Sequence, residues 1–180
     1  MTDKEYICPK ELTHDSFLLA RRVYDSGFRP DFIIVLWRGG TPIGIIVQEF
    51  FKYKGVETYH SAIKVEAYTG IGKMSDVHVA DLDWLLKRIG KEHSILLVDD
   101  IFDSGKTMEK VSGIMKGRCG DVKIATLYYK PEKNQTKITP DFFVRPTDKW
   151  IVFPHEVIDL TDEELKEKDP FVWKILKGNL

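Results

Sequence analysis

Two stretches of this chain, Phe32-Ile33-Ile34-Val35-Leu36-Trp37 and Ile95-Leu96-Leu97-Val98, are apolar at every position. A strand with one wet face alternates polar and apolar residues. An unbroken apolar run therefore indicates a strand buried on both faces, as in a parallel sheet covered by helices. Each run is cut by a glycine-containing turn and followed by a helical pattern, and Val122 to Tyr129 reads as a further strand of the same kind. Strands alternating with helices define an α/β domain with a mainly parallel twisted sheet flanked by helices. Ligands of such sheets bind in the crevice beyond the carboxyl ends of the strands.

The remaining pattern fills in this frame. Helices are expected over Thr13 to Ser26, stopped by Gly27, from Pro42 to about Lys54, over Asp81 to Gly90, and over Lys106 to Gly117. Val56 to Val65 and Val77 to Val79 read as strands, with Glu66 to Asp76 as the loop between them. Short apolar stretches follow at Phe142 to Val144 and Trp150 to Phe153. Thr161 with Glu164 forms a capping-box pattern for a last helix that Pro170 interrupts or restarts, and Asp162 to Asp169 reads as a solvated helix face.

A chain of 180 residues suits one domain, residues 1–180. Its 27 Lys plus Arg against 28 Asp plus Glu leave a formal charge of -1, without the basic field that non-specific nucleic-acid binding requires. No run approaches a membrane span and the first ten residues lack a signal-peptide core, so a cytoplasmic protein without membrane partners is expected. Cys8 and Cys119 are the only cysteines and read as free thiols; the five histidines show no zinc-ligand spacing.

The chemistry concentrates in Val98-Asp99-Asp100-Ile101-Phe102-Asp103-Ser104-Gly105-Lys106-Thr107. A helix N-terminus leaves backbone N–H groups unpaired and carries partial positive charge, so Ser104, Gly105, Lys106 and Thr107 can wrap a phosphate. Adjacent Asp99 and Asp100 can accept hydrogen bonds from vicinal ribose hydroxyls or hold a metal through water. A Walker A reading of Gly-Lys-Thr fails, because that motif needs glycine where this chain has Asp100.

A phosphate cradle beside a diol clamp resembles the signature of the type I phosphoribosyltransferases, which transfer the phosphoribosyl group of 5-phosphoribosyl 1-diphosphate (PRPP) to a base nitrogen with Mg²⁺. The resemblance implies that family's Rossmann-like fold with a small hood formed by the terminal segments. Asp103 points to the branch acting on 6-oxopurines, and there its carboxylate would face N7 of the base as a catalytic acid-base group. Arg38-Gly39-Gly40, after the first buried strand, resembles the family's diphosphate loop, in which the peptide between the cation and the glycine can be cis. Lys130 would contact O6; an ammonium offers only donors and so favours a 6-oxo over a 6-amino purine. Trp150 would stack on the base and the Ile151 carbonyl would accept from a base N–H. Glu156 stands in Pro154-His155-Glu156, where xanthine-guanine enzymes tend to carry proline, an aromatic and aspartate. Glu66 to Met74, with Tyr68 and Lys73, matches the mobile lid, although Ala67 replaces its usual serine.

The expectation is therefore a Mg²⁺-dependent transferase of purine salvage using PRPP and guanine, xanthine or hypoxanthine, with kinship implying a homo-oligomer, dimer or tetramer. A transferase for adenine or a pyrimidine, and a non-catalytic PRPP- or nucleotide-sensing regulator of the same fold, are the competing readings.

Overall fold

The computed structural model describes residues 4–68, 76–80 and 82–178. They divide into two compact units, one containing Thr13–Asp148 and the other drawn from both ends of the chain, up to Leu12 and from Lys149 onward.

In the larger unit β2 (Phe32–Trp37), β3 (Tyr59–Tyr68), β4 (Asp76–Val79), β5 (Ser94–Phe102), β6 (Asp121–Tyr129) and β7 (Phe142–Pro146) form a sheet in the order β4-β3-β2-β5-β6-β7. All its pairings are parallel except β3 with β4, so the expected mainly parallel sheet is present. The uniformly apolar runs are buried on both faces, as their composition requires. Ile34, Leu36, Ile95 and Leu97 join a core with Met108, Val111 and Met115 of α4 (Lys106–Lys116) and Leu85 of α3 (Asp83–Leu86). On the opposite side α2 (Gly40–Tyr53) packs so closely that a Cβ on Gly44 would meet Val35 Cγ1 at 1.9 Å. The larger unit's part of α1 (Pro9–Asp25) meets α2 edge-on through Tyr24 against Phe50 and Phe51, at ring separations of 5.9 and 6.1 Å.

Several boundaries differ from the sequence expectation. Helix α1 begins at Pro9, four residues before Thr13, because Cys8 Sγ caps the Glu11 amide at 3.4 Å. Helix α2 begins at Gly40, two residues before Pro42. Strand β3 starts at Tyr59, where its pairing with Phe32 begins, and continues through Glu66 to Tyr68 because those residues pair antiparallel with β4; they are not loop. Strand β5 runs past Val98 through both aspartates to Phe102, since β6 supplies partners as far as Tyr129.

In the smaller unit β1 (Lys4–Tyr6), which sequence reading missed, pairs in parallel with β8 (Trp150–Val152). Helix α5 (Asp162–Lys168) starts on the Thr161–Glu164 capping box, and α6 (Pro170–Leu176) restarts at Pro170 with Asp169 as its cap. Among the described residues no helix is long and apolar enough to cross a membrane.

Candidate active site

Strand β5 carries its two carboxylates to the sheet rim and folds their charge back onto its own backbone. Asp99 Oδ1 accepts from the Asp100 amide at 3.0 Å, and Asp100 Oδ1 accepts from the Ile101 amide at 2.7 Å. Both side chains are half-buried. Burial, and then the neighbouring Asp100 charge, raise the Asp99 carboxyl well above the ordinary carboxylate range, opposed by amide donation from Asp100 and Gly40.

The Gly40 contact shows how the two motifs read from the sequence as anion sites become one structure. A Cβ on Gly39 would lie 1.8 Å from Asp100 Oδ2, and one on Gly40 would lie 2.5 Å from the Val98 carbonyl oxygen and 3.0 Å from Asp99 Cα. Only glycine lets this turn approach β5 so closely. Thr41 closes the turn by donating both its amide, at 3.1 Å, and its hydroxyl, at 2.6 Å, to the Arg38 carbonyl. The cis peptide of this loop joins Trp37 to Arg38, one bond earlier than the Arg38–Gly39 position at which the family resemblance allows one.

Beyond the carboxylates, Gly105 takes a left-handed conformation with φ +79° and begins α4 without any side-chain cap, leaving the first-turn amides to face an anion. A Cβ there would meet Thr136 Oγ1 at 2.6 Å, the Phe102 ring at 2.7 Å and Asn134 Oδ1 at 2.8 Å. The same turn is tied down where the Gln135 amide donates to the Ser104 carbonyl at 3.0 Å. Asn134 organises this buttress: its Oδ1 accepts from the Thr136 amide and hydroxyl at 2.9 and 2.8 Å, and its Nδ2 donates to the Ile138 carbonyl at 2.8 Å. None of these residues belongs to a motif identified in the sequence. The Asn-x-Thr spacing, which allows a side chain to bond the backbone two residues on, was the available signal.

Asp103 and Lys130, read from the sequence as independent contacts to a base, are joined in the fold. Lys130 is 3% exposed, and its ammonium lies 3.1 Å from Asp103 Oδ2, whose side chain is 44% exposed. The Lys130 amide donates to the Phe102 carbonyl at 2.9 Å, anchoring the end of β6 to the end of β5. A buried ammonium needs such a partner.

In the smaller unit, Trp150 opens β8 opposite Lys4 and is 49% exposed, a face broad enough to stack on a planar ligand, while Ile151 is buried. Glu156 turns its carboxylate to the Phe153 amide, with Oε2 at 2.9 Å. The expected lid falls largely outside the described residues: Tyr68 ends β3, and Lys73 is not among them. No cluster of three or more His, Cys, Asp or Glu side chains suited to a metal occurs among the described residues.

Residues 13–160 match the family model of the phosphoribosyl transferase domain. The chain belongs to that family. This phosphoribosyltransferase is 31% identical over 160 residues to the xanthine-guanine phosphoribosyltransferase of a Ruegeria species, covering 82% of each chain. It is also 31% identical to the hypoxanthine-guanine phosphoribosyltransferase of Lactococcus lactis over 112 residues, a match spanning 61% of this chain and 57% of that protein. Among solved structures, the purine phosphoribosyltransferase of Pyrococcus horikoshii superposes with a TM-score of 0.70 at 28% identity, over 88% of this chain and 97% of that one. The matched segment contains every phosphoribosyltransferase motif described above, from Arg38 to Glu156.

Proposed function

We propose that this enzyme transfers the 5-phosphoribosyl group of PRPP to N9 of a 6-oxopurine, giving a nucleoside 5'-monophosphate and diphosphate. The observation that carries the reading is the buried Lys130 ammonium held 3.1 Å from the more exposed Asp103 carboxylate. A lysine there donates to a 6-oxo group and finds no acceptor on a 6-amino group, while the adjacent carboxylate holds a proton at N7. The names of the matched relatives, which act on guanine with xanthine or hypoxanthine, support it.

The 5'-phosphate rests on the amides and hydroxyls of Ser104 to Thr107. The ribose hydroxyls are held by Asp99 and Asp100, and the diphosphate by the Arg38-Gly39-Gly40 turn. Trp150 and the Ile151 carbonyl serve the base. As N9 bonds to C1', the bond from C1' to the diphosphate oxygen breaks and Asp103 takes up the purine proton. Catalysis comes chiefly from orientation, and the carboxylates beneath the ribose favour positive charge at C1'.

Mg²⁺ fits the donor set: two adjacent half-buried carboxylates, one with its pKa raised by burial and then by the other's charge, suit a hard cation that keeps waters and substrate oxygens in its shell. Asp99 and Asp100 would hold it, and the ion would neutralise the departing diphosphate.

Steady-state rates for Lys130→Met and Asp103→Asn test the assignment. Lys130→Met is expected to lower kcat/KM for hypoxanthine by roughly 100-fold with KM for PRPP little changed, as expected when a hydrogen-bonding site loses its partner. Asp103→Asn is expected to lower kcat by roughly 100-fold, within the usual range for a general acid-base group. Undiminished hypoxanthine turnover in Lys130→Met would overturn the base assignment.

A further inference from the structure

The smaller unit holds a lysine that sequence reading placed on a solvated helix face. Lys168, at the last position of α5, points inward. Its ammonium donates to the Phe153 carbonyl at 2.6 Å and, by a shorter bond, to the Glu156 carbonyl. These oxygens belong to the first and last residues of the tight turn Phe153-Pro154-His155-Glu156, which leaves β8 directly after Trp150–Val152. The turn also closes on itself. The Glu156 amide donates to the Phe153 carbonyl at 3.0 Å, and the Glu156 carboxylate accepts from the Phe153 amide at 2.9 Å. His155 stacks on Phe153 with ring centres 5.8 Å apart and planes 11° apart.

Lys168 therefore ties the end of α5 to this turn, and it does so with a charge brought partly out of water beside a cavity of about 140 Å³ lined by Ile7, Leu165 and Val172 among others. Burial pulls its pKa below the ordinary lysine value, opposed by the nearby Glu156 and Asp169 carboxylates. Desolvating an ammonium costs stability unless its donors are used. A hydrophobic residue would pack the same helix end without that cost, so the charge points to a demand placed on the turn.

We propose that Lys168 is a positioning residue for purine selection: with O6 assigned to Lys130 and a base N–H to the Ile151 carbonyl, the turn that follows Ile151 falls to the next position on the base edge, and by clamping the carbonyls of Phe153 and Glu156 Lys168 fixes how that turn accepts a 2-substituent. The inference rests on the transferase reading above. It also accounts for Glu156, whose carboxylate serves the turn's backbone at 2.9 Å and leaves the turn's conformation to do the discriminating.

The test compares the full-length protein with Lys168→Met and Lys168→Arg. KM and kcat are measured for PRPP and for guanine, xanthine and hypoxanthine, with any base that is not turned over measured as a competitive inhibitor. Hypoxanthine has no 2-substituent and serves as the internal reference. In Lys168→Met, KM or Ki for guanine and xanthine is expected to rise about tenfold relative to hypoxanthine, with KM for PRPP and kcat within about twofold, the size of effect one lost polar constraint produces. Lys168→Arg, which keeps the charge and its donors, is expected to restore most of the discrimination. If Lys168→Met does not fold, Lys168→Gln, which retains a single donor group, is read by the same ratios. Equal losses for all three bases, or a matching rise in KM for PRPP, would show a purely structural role and overturn the proposal. A wild-type protein that transfers phosphoribosyl to none of the bases overturns the transferase reading itself, whereas an active wild type with variant ratios unmoved overturns only the role of Lys168.

Discussion

Gly39 has no room for a methyl group, because the space a Cβ would take is filled by the Asp100 carboxylate 1.8 Å away. Gly39→Ala is therefore expected to push the diphosphate turn off β5. A loss of roughly 100-fold in kcat/KM for PRPP should follow, since small misplacements of positioning groups cost about that much. Retained PRPP kinetics in this variant would show that the turn and the carboxylate pair work independently. Asp99 illustrates the opposite relation between site and stability. Its carboxyl is raised by burial and by Asp100, so its ionised form costs folding energy, and that cost disappears as pH falls through the raised pKa and the group takes up its proton. In metal-free buffer, Asp99→Asn is expected to be about 1 kcal/mol more stable than wild type at neutral pH, with the gain fading in acid, while losing transferase activity. Denaturant unfolding at several pH values measures it; a variant less stable at neutral pH would contradict the account. The residue types here were legible in the sequence. Their interlock was not, because the contact between Gly39 and Asp100 joins positions 61 residues apart and leaves no local pattern.

At the scale of elements, β2 and β5 could be read from sequence because burial on both faces forces a composition that no exposed segment needs. Strand β1 could not: three residues pair with β8 across most of the chain, and nothing in Lys-Glu-Tyr announces it. The extension of β5 through Asp99 and Asp100 was also hidden, since two carboxylates signal the end of a strand unless a long neighbour such as β6 continues to pair with the strand beyond them. The open N-terminus of α4 depends on the segment from Asn134 to Ile138, which supports Gly105 from outside the motif. Asn134→Ala removes an acceptor for two donors of Thr136 and a donor to Ile138. It is expected to cost about 1 to 3 kcal/mol of stability through these unsatisfied groups. KM for PRPP should rise several-fold while the preference among bases stays unchanged. A shift in base preference without a change in KM for PRPP would place the buttress in a different role.

At the scale of the whole molecule, the larger unit carries the phosphate turn, the carboxylate pair, the diphosphate turn and the Asp103–Lys130 pair, all at the carboxyl ends of parallel strands. The smaller unit carries Trp150, Ile151 and the clamped turn after β8. Under the proposed function, the larger unit's backbone amides and carboxylates serve phosphate and ribose, and its Asp103–Lys130 pair selects the base. In the sequence, the glycines and acidic residues at the larger unit's strand ends are conspicuous, whereas Lys168 looks like any charged residue on an exposed helix until the fold turns it inward. The most direct measurement is product formation by the purified wild-type chain given PRPP, Mg²⁺ and, separately, hypoxanthine, guanine, xanthine and adenine. The account predicts a nucleoside 5'-monophosphate and an equal amount of diphosphate with at least one 6-oxopurine and essentially none with adenine. Nucleotide formed from adenine alone, or from no purine at all, would contradict it.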